Sequence, residues 1–140
     1  VGVGFDFPYR NTAEWYDAQC EYMNSLDTSS FGDEVIQSDT AIIQEVILYK
    51  KKTILYKNAT VSLKYDRLLI NGDGKITEYL FDDITGITVL GKNKLNFYLH
   101  NGGVYQIKGG ARLCALKYMN VFFRYQDIKK GNEHGNFLGL

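Results

Sequence analysis

Cysteine, histidine, tryptophan and proline are all scarce in this chain, with two, two, one and one of each among 140 residues. Cys20 and Cys114 stand far apart, with neither the close spacing of a zinc site nor the density of a disulfide-stapled secreted scaffold. Reduced thiols and a cytoplasmic setting follow. No apolar run approaches the roughly 20 residues that a membrane-spanning helix needs. Net charge is missing as well: sixteen bases balance sixteen acids, which speaks against a dedicated nucleic-acid binder. What is present suits one ordinary domain. Hydrophobic residues reach 45% and there are fourteen glycines, a composition foreign to disordered or collagen-like chains. The chain opens at Val1 without a charged-then-apolar leader, and reads as a piece of something longer.

The zero charge hides a division. Through residue 45 there are nine acids and one base, Arg10; from residue 46 there are fifteen bases and seven acids. The two stretches carry −8 and +8. Three readings are open: an acidic arm lying against a basic body, a body that meets an anionic surface, or two merely solvated faces.

Residues 1–10 read as irregular, with Pro8 the only proline. Asn11 has the chemistry of a helix N-cap, with Glu14 completing a capping box. Trp15, Tyr22 and Leu26 then recur at helical spacing, and the turn-forming run from Asp27 to Gly32 ends the helix. From about residue 42 the period becomes two. Strands are expected near 42–49, Thr53–Tyr56, Thr60–Tyr65, Leu68–Ile70, Lys75–Phe81, Ile84–Leu90, Lys94–His100 and Gly103–Lys108. Asn71-Gly-Asp-Gly74 is a strong hairpin turn. Short strands joined this closely indicate an antiparallel meander, closed into a barrel or folded into two sheets. Ala111 to about Ile128 then forms an amphipathic helix with Leu113, Leu116, Asn120 and Phe123 on one stripe, widened by Met119 and Phe122.

Three stretches carry a likeness to a known group: Lys64-Tyr-Asp-Arg-Leu-Leu-Ile70, the run Glu78-Tyr-Leu-Phe-Asp-Asp-Ile-Thr-Gly-Ile87, and Asn93-Lys-Leu-Asn-Phe-Tyr98. Over residues 42–128 the chain resembles the bacterial pleckstrin-homology-like (PH-like) and GRAM domains. Three further runs are similar to the C-terminal region of Firmicutes 1-acylglycerol-3-phosphate acyltransferases. These are Asn11-Thr-Ala-Glu-Trp-Tyr16, Val89-Leu-Gly-Lys-Asn-Lys-Leu-Asn-Phe-Tyr98, and Ala115-Leu-Lys-Tyr-Met119 with the closing Phe137-Leu-Gly-Leu140. The resemblance implies a mainly β (α+β) fold: a PH-like antiparallel barrel of about seven strands, closed by one C-terminal helix and preceded by a helical arm. The divisions are an acidic arm and linker over 1–33, the domain over 34–128 and a glycine-rich tail over 129–140. The enzyme family's H-x-x-x-x-D motif is absent, since Tyr105 follows His100 at that spacing and Gly139 follows His134. Catalysis would then lie in an upstream domain of the same polypeptide.

Other candidate chemistry is weak. Asn71–Thr77 reads like the middle of a calcium loop, but Leu69 and Leu80 stand where its first and twelfth ligands belong. Gly2-Val-Gly4 lacks a preceding strand, and Phe7 replaces the third glycine of a dinucleotide fingerprint. His100-Asn-Gly-Gly103 has no nucleophile elbow to serve. Cys114 with His100 is outweighed by a buried, inert thiol on the last helix. Asp82 and Asp83 read as carboxylates bonding backbone N–H groups. No catalytic residue, metal or cofactor is assigned.

Bases and aromatics are more promising. Lys50, Lys51, Lys52 and Lys57 cluster where the first strands turn, the place where lipid-binding PH domains hold phosphate. Lys92, Lys94 and Lys108 extend the patch if the hairpins share a rim. The family's lysine/arginine pattern is broken, because two residues rather than one separate Lys64 from Arg67. Diffuse attraction to an anionic phospholipid surface is one reading and a solubilising lysine cluster the other. Trp15, Tyr16 and Tyr22 cannot be buried by a lone helix, and should dock on the barrel, a second copy or an upstream domain. The expected function is a non-catalytic accessory module of a glycerolipid acyltransferase at the inner membrane face. The alternative is a protein-docking or homodimerisation module without lipid or nucleic acid.

Overall fold

A computed structural model describes residues 11–47, 51–132 and 135–139. The irregular segment expected over 1–10, together with Lys50 and His134, lies outside them. Seven antiparallel strands form one curled half-barrel sheet: β1 (Val35–Ile47), β2 (Lys51–Lys64), β3 (Arg67–Gly72), β4 (Lys75–Leu80), β5 (Ile84–Gly91), β6 (Lys94–Leu99) and β7 (Val104–Gly109). Helix α1 (Ala13–Ser25) precedes the sheet and helix α2 (Ala115–Lys129) follows it. The mainly β fold class expected from periodicity is therefore correct.

Strand order is β4-β3-β2-β1-β7-β6-β5, which puts the first strand at the centre and leaves β4 and β5 as edges. The sheet is thus a half-barrel, not a closed cylinder. Register shifts in the β1–β2 pair, at Val35/Gln37 and on either side of Ile43, mark bulges that sharpen its curl. Asp73 and Gly74, at φ of 54° and 81°, make the tight β3–β4 turn that the Asn-Gly-Asp-Gly run demanded.

Three boundaries differ from the sequence reading. β1 begins seven residues early, at Val35, because polar Gln37, Ser38, Asp39 and Thr40 mask its alternation. The expected second and third strands are one bulged strand, β2. Thr12, not Asn11, caps α1, its hydroxyl accepting from Trp15 N at 3.1 Å.

Alternation sends Ile43, Val61, Leu63, Leu68, Leu95, Phe97 and Ile107 to the concave face, where all are buried. Helix α2 covers that face with Ala115, Tyr118, Val121, Phe122 and Tyr125. Phe81 packs edge-on against Phe122 at 5.4 Å and Tyr125 at 5.6 Å. Phe31, from the linker, is fully buried, tilted against Tyr65 and edge-on to Tyr125.

The expected helix stripe is rotated and starts too early. α2 begins at Ala115, and Phe123 is 37% exposed. Leu113, Asn120 and Phe122 are buried as expected, but Lys117 and Arg124 join Asn120 along a second buried face. They lie under α1 and the tail, so the helix is covered on two sides and a single-stripe pattern misreads it.

At the mouth of the half-barrel the Tyr56 ring packs against Gly72, where an added Cβ would clash with the ring carbons. Replacing Gly72 by Ala is expected to lower unfolding free energy by about 1–3 kcal/mol through overpacking. Urea denaturation of Gly72→Ala in wild-type and Tyr56→Ala backgrounds checks this, since removing the ring should largely erase the cost.

Candidate functional site

The β1–β2 ribbon outruns its neighbours. β7 pairs with β1 only as far as Glu45–Tyr105, and β3 pairs with β2 only over Thr60–Leu63. Beyond those points the pairs Val46–Lys52 and Ile47–Lys51 project alone. Ile47, Ile54 and Leu55 are exposed there at 46, 50 and 40%. Lys51, Lys52 and Lys57 stand exposed around them, while Lys50 falls outside the described residues. Large apolar side chains set among lysines are not what a merely solvated turn requires.

The other expected lysines separate into two places. Lys94 and Lys108 face each other directly across β6 and β7, and Lys108 in turn faces Ile42 of β1. The β2 bulge sets Lys57 and Asn58 opposite the same Ile42. Because Leu95 and Ile107 are buried on the concave face, this row lies on the outer face. Next to it runs Ile54–Gln44–Gln106–Asn96. Gln106 donates to Asn96 Oδ1 at 3.0 Å and accepts from Lys52 Nζ at 3.4 Å. Lys92 is elsewhere, in the β5–β6 turn, where its carbonyl accepts from Ala115 N at 2.9 Å. It borders a groove of about 850 Å³ with Val89, Leu90, Leu113, Cys114 and Leu116.

Lys64 and Arg67, the broken phosphate pattern, are engaged within the fold. Lys64 Nζ donates to the Gly32 carbonyl at 2.8 Å. Arg67 forks onto Asp66 at 2.8 and 3.0 Å and reaches Glu78 at 3.4 Å, partners that push its pKa up further.

The aromatic arm docks within its own chain. Trp15 and Tyr16 are buried, the Trp15 ring 4.6 Å below Lys117 Nζ and Tyr16 5.6 Å from Phe137. Tyr22 is exposed, packs at a tilt against Tyr65 at 5.6 Å and donates to Glu34 at 2.7 Å. Of the three docking choices open in the sequence, these side chains take the body of the domain itself. Asn120 fastens the tail beside them: Leu138 N donates to its Oδ1 at 2.8 Å, and its Nδ2 donates to Leu138 O at 2.9 Å and Asn11 Oδ1 at 2.8 Å. Asn11 completes the clamp on Leu138 O at 2.7 Å.

Several buried polar contacts had no signal in the sequence. Tyr118 donates to Asp39 at 2.6 Å and Gln37 to the same carboxylate at 3.0 Å. Burial and this carboxylate push the Tyr118 pKa well up, and burial pulls that of Lys117 down. Asp82 accepts the Tyr125 hydroxyl at 2.8 Å, a side-chain partner in place of the backbone one expected. Cys114 is the N-terminal boundary residue of α2, half-buried, and not within the helix. Among the described residues no group of three His, Cys, Asp or Glu could hold a metal.

No protein-family model matches the chain, and no curated protein does. Among solved structures it is similar to the C-terminal domain of an unknown protein from Leishmania infantum, at 13% identity and TM-score 0.45, covering 70% of this chain and 93% of that one. It is also similar to Inner Membrane Complex Sub-compartment Protein 3 from Toxoplasma gondii, at 11% identity and TM-score 0.49, covering 89% and 90%.

Near the mouth, burial and the neighbours Tyr105, Tyr56 and Glu45 push the Tyr79 hydroxyl up to about 12; burial does the same for Tyr65, also to about 12. Unfolded tyrosines ionise near 10, so the folded state holds these protons more tightly. Their contribution is full below about pH 10 and is lost as pH rises toward 12. Chemical denaturation between pH 8 and 12 should therefore show stability falling above about pH 10, with a smaller fall for Tyr79→Phe.

Proposed function

We propose that this chain is a non-catalytic accessory module that holds a glycerolipid acyltransferase against an anionic membrane face, on its cytoplasmic side. The observation that carries the membrane part is the projecting β1–β2 ribbon, with Ile47, Ile54 and Leu55 exposed beside Lys51, Lys52 and Lys57. Apolar side chains can enter the headgroup boundary while each nearby base adds about 1 kcal/mol of attraction to anionic lipid. No described helix is long and apolar enough to cross a membrane, so contact of this kind would be peripheral.

Charge geometry supports the same orientation. Exposed Asp33 and Glu34 immediately precede β1, and Lys51 and Lys52 pair with Ile47 and Val46 at its other end. β1 runs thirteen residues between these ends, roughly 40 Å when extended. The ribbon tip therefore leads toward a negative surface with Asp33 and Glu34 far from it, while Glu45 lies just behind the tip on the concave side.

The parent enzyme rests on resemblance. Its three runs are joined by two hydrogen bonds, Asn11 Nδ2 donating to the Leu138 carbonyl and Ala115 N to the Lys92 carbonyl.

A protein-docking reading draws on a different observation, the unpaired edges β4 and β5, which carry exposed Ile76, Leu80 and Leu90. The two separate by co-sedimentation with phosphatidylcholine vesicles, with and without phosphatidylglycerol. Under the membrane reading, binding requires phosphatidylglycerol, fades with salt, and weakens in Lys51→Glu/Lys52→Glu and in Ile54→Ser/Leu55→Ser. Absence of binding at low salt overturns it. A concentration-dependent dimer in analytical ultracentrifugation, sensitive to Ile76→Lys, would favour docking.

A further inference from the structure

The lysine row on the outer face lies behind the ribbon tip and shares Lys57 with the ribbon's flank. Lys94 and Lys108 are directly opposed on neighbouring antiparallel strands, where like charges repel. Such a pair is normally relieved by a carboxylate nearby. Among the described residues neither lysine makes an ion pair. Nor do β2, β1, β7 and β6 place an acid on this face between Lys52 and Lys94. Asp39 and Glu45 alternate to the concave side, opposite Val61 and level with Phe97.

The same row ends at Lys57 and Asn58. At about 4.8 Å between strands it spans roughly 15 Å and brings Lys57, Lys108 and Lys94 into line. Gln106 and Asn96, hydrogen-bonded to each other, floor the adjacent row, and Lys52 is tethered to Gln106. Ile54 belongs to that adjacent row and lies on the same face. β1 is the middle strand of seven, so this row crosses the crest of the curved sheet, the part that first meets a flat surface.

We propose that Lys94 and Lys108, with Lys57 at the end of their row, form a phosphate site for glycerophospholipid headgroups on the outer face of the sheet. The proposal rests on the membrane reading above and gives it a residue-level contact. Two facing ammonium groups share one phosphate as a bridging counterion, which converts their repulsion into attraction. Ile54 enters the boundary region from the same face, and the module lies with its crest on the bilayer.

The test uses the 140-residue chain and the variant Lys94→Gln/Lys108→Gln. Its melting temperature should equal or exceed that of the wild type, since a repulsive pair is removed, so lost binding cannot be ascribed to unfolding. Affinity for vesicles containing phosphatidylglycerol should fall about tenfold or more, with a shallower salt dependence, and Lys94→Arg/Lys108→Arg should restore it. In a parallel arm, NMR titration with soluble sn-glycerol 3-phosphate should shift the amides of Asn96, Gln106 and Lys108. Wild-type vesicle affinity in the double Gln variant overturns the site while leaving the ribbon as the membrane contact. If the wild type ignores the vesicles, the membrane reading fails, and the titration alone decides. Shifts confined to the row then support a site for a free phosphate ester, and their absence overturns the site too.

Discussion

Asp39 is a carboxylate on the concave side of a sheet whose other inward residues are almost all apolar, and it must be given hydrogen-bond donors. Tyr118 and Gln37 supply them, and the Tyr118 bond, together with the apolar face around it, ties α2 to β1 across the concave side. With Tyr118 turned toward β1, helical geometry leaves no freedom elsewhere. Phe122 and Tyr125 meet Phe81, while Lys117, Asn120 and Arg124 point away from the sheet. A polar stripe of that kind could have faced solvent. Here it is covered by α1 and the tail, whose side chains and carbonyls answer it one by one: Trp15, Asn24, Asn132 and Leu138. The arm is thus part of the packed body, held by the far side of the helix that the sheet orients.

The division of charge along the chain acquires a spatial meaning through β1. The strand is the last part of the acidic stretch and carries Asp39 and Glu45. Its thirteen residues at the centre of the sheet keep Asp33 and Glu34 at one end apart from Lys51 and Lys52 at the other. The sheet also sorts its bases by use. Lys64 and Arg67, near the arm, hold the linker and the β2–β3 corner. Those on the ribbon and crest have no acidic partner among the described residues, which is the arrangement an external anion would exploit.

Legibility followed local rules. Hairpins were plain in the sequence because positive φ at Asp73 and Gly74 leaves its mark in residue type, and the late strands alternate cleanly. The opening half of β1 was not, since Asp39 becomes an acceptable inward residue only when a distant tyrosine arrives. Nor was the second buried face of α2: Lys117 and Arg124 look like solvent residues until the arm and tail are in place. Trp15 and Tyr16 are aromatics that a lone helix cannot bury, though nothing local says what covers them. For the lysines, residue type named the candidates. Register alone could show that Lys94 faces Lys108 while Lys92 borders a different groove.

The clamp on Leu138 makes the covalent chain a nearly closed loop. Asn11 and Leu138 touch, so the two ends of the described fold leave from one pole, and both are anchored on a single buried amide, that of Asn120. Ends of a domain ordinarily fray independently. Here, release of either end strips a partner from the other, so the two open as one cooperative unit. The same adjacency makes the fold a natural substrate for circular permutation: a short linker between tail and arm would follow a path the hydrogen bonds already trace.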